Sequence, residues 1–371
     1  MKRTSIRTLV APGAAALALG LSLTACAAGN ENNGTASGAS SSGGTSFSGT
    51  LNGAGSTAQQ SAQGVWTAAF QSAHSGVTIN YDAVGSGAGQ DQFLSGSVPF
   101  AGSDSYLQAD QLAASKKVCG GKEAFDLPDY VSPIAIAFHL KGVTKLNLSP
   151  NTAAGIFAGK ITKWNDPAIK ADNPGAKLPG TTITPVHRSD DSGTTDNFTD
   201  YLHQAAPTVW TNDHSQTWPY KSGEGGDGTS GVIAAIQAGN GTIGYADYSQ
   251  VGSLSAASVK VGSGWVAPTA DAAAKALADS KPVPGRSAGD LAMAINRTTT
   301  VSGAYPILLV SYLIACPTYT DANTAALVKA YLSYIVSVAG QNAAAAQVHS
   351  APMPRALQSN VASQIAAIAK G

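Results

Sequence analysis

The sequence predicts an α/β fold arranged in two domains or lobes, and three observations carry that reading. Segments with the two-residue period of strands alternate with segments at helical spacing. Length points the same way, because 371 residues, 43% of them hydrophobic, exceed what one compact core usually holds. Small-residue turns recur where predicted strands end and helices begin, the place where ligands collect in α/β sheets.

The first 25 residues read as an export leader. Lys2, Arg3 and Arg7 make a positive start, and Leu9 to Leu23 supply an apolar stretch too short and Gly-interrupted for a good membrane span. The leader ends Leu23-Thr24-Ala25-Cys26, which resembles the lipobox of bacterial lipoproteins. That resemblance implies lipidation of Cys26 (a palmitate-type anchor) and a place on the outer face of the cytoplasmic membrane. Residues 26–48 are rich in Gly, Ser, Asn and Ala and read as a flexible tether with a reach of roughly 25 Å.

Composition narrows the function. Only 12% of residues are charged and Gly is abundant, at 41 residues, which suits an exported protein. Without the leader, 19 basic residues stand against 22 acidic ones, a net charge of −3. No basic block is left to cover a nucleic-acid backbone, so nucleic acid is excluded as the expected partner.

The folded body opens with Gly53-Ala54-Gly55-Ser56-Thr57, followed by Ala58, Ala62, Val65, Trp66, Ala69 and Phe70 at helical spacing. Val77, Ile79, Tyr81 and Ala83 alternate as a strand and run into Gly85-Ser86-Gly87-Ala88-Gly89. A third exit follows at Phe100-Ala101-Gly102-Ser103-Asp104. Tyr130 to Leu140 and Tyr305 to Cys316 are long apolar runs, each read as a buried strand. Residues 160–167 form a helix end and turn, 222–231 a Gly-rich loop before a helix at 230–238, and 242–246 a strand. Residues 265–290 read as a loop region around one Ala-rich helix. Helices are predicted from Asp321 to about Val338 and from about Pro354 to Lys370.

A fourth exit holds the densest chemistry. Thr182 to His187 reads as a strand, and Phe198, Tyr201, Leu202 and Ala205 mark a helix. Between them lie Arg188-Ser189-Asp190-Asp191-Ser192-Gly193-Thr194-Thr195. Helix starts carry unpaired N–H groups and partial positive charge. Gly193 lets backbone approach a ligand, Ser192 and Thr194 add hydroxyls, and Arg188 adds a charged fork. These are the parts of an oxyanion receptor, though a plain capped helix would need Ser192 as well. Asp191 reads as either a helix cap or a solvated charge.

Taken in order, GAGST (53–57), VGSGAG (84–89), FAGSD (100–104), RSDDSGTT (188–195) and GTIGYADY (241–248) resemble the PstS-type phosphate-binding lipoproteins of bacterial ABC importers, in their actinobacterial form. The resemblance covers about residues 49–371. It implies the two-lobed periplasmic-binding-protein fold (type II, Venus-flytrap) with two crossover strands, matched by the two apolar runs. Lobe one would be 49–134 plus 308–371, and lobe two 135–307. It implies phosphate binding by Thr57, the Ala58 N–H, Ser86, Asp104, Arg188, Ser192, Gly193 and Thr194, with Asp190 holding the arginine. The family often has a larger apolar residue at the Ala58 position, so only a main-chain role transfers there. The partners it implies are inorganic phosphate and the permease of the importer, with delivery rather than catalysis as the function. Cys119 and Cys316 would both lie near the crossovers, where an exported pair can bridge.

Asp104 beside an anion is the informative feature. Both common phosphate ions carry a proton that a carboxylate accepts, whereas sulfate carries none and would oppose acceptor to acceptor. Sulfate and molybdate carriers are the alternative within the same class. A serine hydrolase is the alternative outside it, with Ser287 in Gly285-Arg286-Ser287-Ala288-Gly289 and Asp321 and His349 downstream. That motif needs a preceding strand, and Pro282-Val283-Pro284 argue for a loop. Phosphatase activity has no better support. The six histidines (74, 139, 187, 203, 214 and 349) lack metal spacing, so neither metal nor cofactor is expected. A phosphate-cradling GxxxxGK[ST] loop is missing too, which excludes the transporter's ATPase.

Overall fold

The computed structural model describes residues 47–348 and 350–371. The leader, Cys26 and the tether up to residue 46 lie outside the described residues, as does His349. Three parallel strands start the fold. They are β1 (Gly49–Gly55), β2 (Val77–Asp82) and β3 (Phe100–Ser103), linked by helices α1 (Gln60–Ala73) and α2 (Ser86–Leu94). A short helix α3 (Ala109–Ser115) leads to β4 (Phe125–His139), which is buried along its length except at His139. That burial on both faces is why the segment reads as continuous apolar sequence.

Next come β5 (Asn147–Leu148), α4 (Pro150–Phe157), α5 (Pro167–Asp172), β6 (Thr184–Arg188) and α6 (Gly193–Ala205). They are followed by β7 (Glu224–Gly226), α7 (Gly228–Ala238), β8 (Thr242–Asp247) and β9 (Ser255–Ala256). The hairpin β10 (Ser258–Val261) and β11 (Gly264–Val266), helix α8 (Ala270–Ala278) and the small pair β12 (Lys281–Pro282) and β13 (Met293–Ala294) precede β14 (Leu308–Ala315). The chain closes with β15 (Thr318–Tyr319), α9 (Ala322–Val336), α10 (Val338–Val348), α11 (Arg355–Ala366) and β16 (Ala369–Lys370). Among the described residues no helix is long and apolar enough to cross a membrane.

The main sheet runs β2-β1-β3-β14-β4-β8-β6-β7, with β9 also on β4. Two long strands join its halves. β4 pairs with β14 from Phe125 to Pro133, then changes partner and pairs with β8 from Ile134 to His139. β14 in turn pairs with β3. One connected apolar core, including Trp66, Tyr130, Phe138 and Trp164, extends through both halves, and a smaller cluster lies under α7 around Val186, Val232 and Ile236.

Two local features differ from the sequence reading, and a third agrees with it. Residues 338–348 are helical where a gap was expected, because Ala343 to Ala346 favour a helix without making the polar–apolar stripe that announces one. The Gly-rich 222–231 stretch contains β7, held to β6 by backbone pairing that no side chain signals. The segment around Ser287 is a loop between β12 and β13, with Ser287 exposed, so the strand and helix of a nucleophile elbow are not there. Instead Arg286 bonds Asp126, Asp290 and the Leu107 carbonyl and lies 4.7 Å from the Tyr106 ring centre, tying this loop to the β3 exit. Cys119 and Cys316 form a disulfide, with Cα atoms 5.0 Å apart.

Candidate functional site

Four strand exits meet at one place. Arg188, at the end of β6, is 3% exposed. Its Nε donates to Asp190 Oδ1 at 2.7 Å and its Nη2 to Asp190 Oδ2, a bidentate grip. The Gly228 N–H, at the start of α7, adds a third bond to Asp190 Oδ1 at 3.1 Å. Burial works to raise the Asp190 pKa, but the Arg188 bonds and charge and the Gly228 N–H outweigh it and hold the carboxyl below its usual range. The grip uses one edge of the guanidinium and leaves Nη1 for another acceptor.

Ser192 is the N-cap of α6, its Oγ accepting from the Thr195 N–H at 3.2 Å. Asp191 is exposed and accepts from Thr217 Oγ1 (2.6 Å), so it is a solvated charge rather than the cap. Gly193 opens the helix against the opposite half of the site. A Cβ there would come within 2.7 Å of Ser86 Oγ and 2.8 Å of both Asp104 Cβ and the Ser105 nitrogen. Glycine is what lets this helix start touch the β3 exit. Thr194 then reaches Asp104, donating from Oγ1 to Oδ2 at 3.1 Å.

Asp104 follows β3 and is 3% exposed. Besides Thr194, Ser56 Oγ donates to Oδ2 (2.8 Å) and Ser311 Oγ to Oδ1 (2.5 Å). Its N–H donates to Ser86 Oγ at 3.1 Å, which fixes Ser86 at the first position of α2. Burial raises the Asp104 pKa, while Ser311, Ser56, Thr194 and the charge of Arg188 pull it down. Gly85, with φ at +93°, packs against the arginine pair; a Cβ there would meet Asp190 Oδ2 at 2.7 Å and Arg188 Nη2 at 3.6 Å.

Thr57 stands on the turn after β1. Its Oγ1 lies 2.9 Å from Thr229 Oγ1 and accepts from the Thr229 N–H at 3.2 Å, so it bonds across to α7. The Ala58 N–H donates to Ser56 Oγ at 3.0 Å, and the Ala58 side chain is buried. Every residue singled out for the site therefore lies at this junction, linked through Ser86, Asp104 and Thr194 on one side and Arg188, Asp190 and Gly228 on the other.

Sequence reasoning missed several partners. Ser56, in the GAGST turn, has nothing in sequence to set it apart from Thr57, yet it bonds Asp104 and the Ala58 N–H. Thr229 and Gln250 bond Thr57 from the second half, Gln250 Nε2 reaching the Thr57 carbonyl at 2.9 Å. Ser311 left a faint signal, as the one polar side chain besides Tyr312 in a buried apolar run. Asp247, of the GTIGYADY motif, accepts from Tyr130 Oη and Ser249, and burial pushes its carboxyl up to about 6.

Comparison with known proteins agrees with this geometry. A family model described as a PBP superfamily domain matches residues 39–339. The phosphate-binding protein PstS 2 of Mycobacterium tuberculosis is 39% identical over 362 residues, covering 94% of this chain and 95% of its own. The chain belongs to the PstS family of periplasmic-binding-type proteins. Within that family PstS 3 of Mycobacterium leprae is 38% identical, covering 81% of this chain and 82% of its own. Among solved structures, the high-affinity periplasmic phosphate-binding protein PfluDING, bound with phosphate, superposes with a TM-score of 0.69 at 25% identity, covering 85% of this chain and 93% of that one. The fold is therefore the two-lobed periplasmic-binding-protein fold, and these relatives are binding proteins rather than enzymes.

Proposed function

We propose that this PstS-family chain is an extracytoplasmic substrate-binding protein that captures inorganic phosphate between its lobes and delivers it to the permease of an ABC importer. The lobes are 49–134 plus 308–371 and 135–307, the loop around Arg286 reaching back from the second to the first. A lipid anchor on Cys26 keeps the body beside the permease. Supporting the capture reading are the relatives, named as phosphate-binding proteins, and above all the environment of Asp104.

One observation carries the reading. Asp104 is a buried carboxylate with three hydroxyl donors and, among the described residues, no cation in direct contact, set beside an arginine already paired with Asp190. Such an acid repels any anion that brings only acceptors and rewards one that brings a proton. Arg188 supplies the remaining donors on its free edge, and the N-termini of α2 and α6 supply oriented N–H groups. Thr57, the Ala58 N–H, Ser86, Ser192, Gly193 and Thr194 complete the set from both lobes. Contacts such as Thr57 with Thr229 and Gln216 with Gln90 (3.1 Å) join the lobes so defined, which is what closure over a ligand requires.

Calorimetric titration of the soluble body with phosphate, sulfate and molybdate tests this. Phosphate is expected to bind best, and Asp104→Asn is expected to erode discrimination against sulfate by about a hundredfold or more while costing phosphate much less. Preferred binding of sulfate or molybdate would move the chain to another oxyanion. Selectivity unchanged in Asp104→Asn would remove Asp104 from its role.

A further inference from the structure

A directed line of hydrogen bonds runs from the core to Asp104. Tyr331 Oη donates to Gln63 Oε1 (2.8 Å), Gln63 Nε2 to Gln59 Oε1 (2.9 Å), Gln59 Nε2 to Ser311 Oγ (2.6 Å) and Ser311 Oγ to Asp104 Oδ1 (2.5 Å). Each of these side chains is at most 3% exposed. Gln59 stands at the start of α1 yet does not cap it; its side chain turns inward instead.

The direction of the line is forced. Gln59 Nε2 also donates to the Tyr312 carbonyl at 3.2 Å. Turning that amide over would set its oxygen against the Tyr312 carbonyl and against Asp129 Oδ1, which Nε2 approaches at 3.4 Å, a mismatch in a buried place. With Gln59 as donor, one lone pair of Ser311 Oγ is taken. Its single hydrogen then goes to Asp104, the Ser103 carbonyl being farther away at 3.3 Å.

Strand irregularity brings Ser311 there. Ser311 pairs with Tyr130 and Tyr312 with Pro128, which leaves Asp129 bulged out of the ladder. Tyr312 also pairs with Ser103, the last residue of β3, so Ser311 stands beside Asp104 as the chain leaves the sheet.

We propose that the Tyr331–Gln63–Gln59–Ser311 relay sets the anion selectivity of the site, by committing the Ser311 hydrogen to Asp104 Oδ1 and so favouring the carboxylate over the protonated acid. The inference rests on the reading of Asp104 as acceptor of the ligand's proton. Burial alone favours a protonated Asp104, and a protonated carboxyl is a donor that sulfate accepts. Arg188 is the charge that opposes protonation of Asp104, and the Asp104 charge in turn raises the pKa values of its neighbours Asp129, Asp247 and Tyr81, which keeps like charge away from it. Burial is the largest influence and the hydroxyl donors oppose it, Ser311 foremost; Ser311 is also the one whose direction is imposed from outside the site.

Gln59→Glu removes the amide donor and, wherever its carboxyl is ionised, accepts from Ser311 and takes the hydrogen away from Asp104. Ser311→Ala removes the donor with little change of volume, and Ser311→Thr restores a hydroxyl. Each pKa unit gained by Asp104 multiplies its protonated fraction at neutral pH, and the affinity for sulfate, by about ten. The experiment is titration of the folded body with phosphate, and with sulfate in competition, from about pH 5 to pH 8.5. In Ser311→Ala and Gln59→Glu the phosphate-to-sulfate affinity ratio is expected to fall about tenfold, with the onset of sulfate binding moved up by about one pH unit. Ser311→Thr is expected to recover both. Ser311→Ala decides the question should Gln59→Glu fail to fold. If selectivity and pH onset stay unchanged in Ser311→Ala while Asp104→Asn loses selectivity, the relay is overturned and the Asp104 reading survives. Unchanged selectivity in Asp104→Asn overturns both.

Discussion

The β6 and β3 exits face each other across the site and hold their charges by opposite means. On the β6 side Arg188 is locked edge-on by Asp190, a charge paired with a charge within two residues of sequence. On the β3 side Asp104 is held by Ser56, Thr194 and Ser311, neutral hydroxyls drawn from three distant segments. An ion pair cancels most of its own field and leaves geometry, a fork aimed in one direction. Hydroxyls leave the carboxylate's charge in place and merely make it tolerable under burial. The first arrangement suits attraction of an anion, the second suits refusal of the wrong one.

The comparison can be broken at its strongest point first. Arg188→Ala removes the fork and leaves Asp190 half-buried beside the ligand without its cation. Phosphate affinity is expected to fall about a thousandfold, roughly 4 kcal/mol, with phosphate-to-sulfate preference little changed. Calorimetry measures both; a loss below tenfold, or a collapse of preference, would mean that the two sides do not divide the work this way. Asp104→Asn and the Ser311 variants probe the other side, where preference is expected to change more than phosphate affinity.

A smaller effect is expected where the sides touch. Gly193→Ala sets a methyl group against Ser86, Asp104 and the Ser105 nitrogen. The strain of about 1–3 kcal/mol is expected to lower phosphate affinity ten- to hundredfold. Because the clash lies between the two sides, thermal stability without phosphate is expected to change less than affinity, as calorimetric scanning with and without ligand would show.

The smallest expected effect concerns a tie at the rim of the same junction. Asp196 accepts from His214 Nδ1 (2.6 Å) through one oxygen and from Ser105 Oγ (2.6 Å) through the other, joining α6 to the β3 exit. The Asp196 hydrogen bond raises the His214 pKa to about 9, partly opposed by burial. A raised folded pKa stabilises below the unfolded value near 6.5 and is lost as pH climbs through about 9. The melting temperature is therefore expected to drop modestly between those values, and less so in His214→Gln; equal pH dependence in both proteins would show that the tie is not stabilising.

Legibility followed distance along the chain. Arg188, Ser192, Gly193 and Thr194 lie within seven residues, so a strand ending in small polar residues before a helix was enough to place them, while the part of Asp190 came from the family resemblance. Ser86 and Asp104 were legible for the same reason, each closing a strand. Ser311 and Thr229 were not, because their partners lie 207 and 172 residues away and their neighbours are ordinary strand and helix sequence. Gln59 looked like one more polar residue at a helix start, and only its inward turn onto Ser311, 252 residues distant, gives it a task.

The sequence by itself determined the alternation of strand and helix, the two long apolar strands and the loops bearing anion-binding chemistry, since periodicity and turn chemistry act over a few residues. Only the tertiary structure decided which hydroxyls surround Asp104 and in which direction each hydrogen points. A buried donor must find an acceptor wherever the packed chain puts one, and that pairing is a property of the fold as a whole.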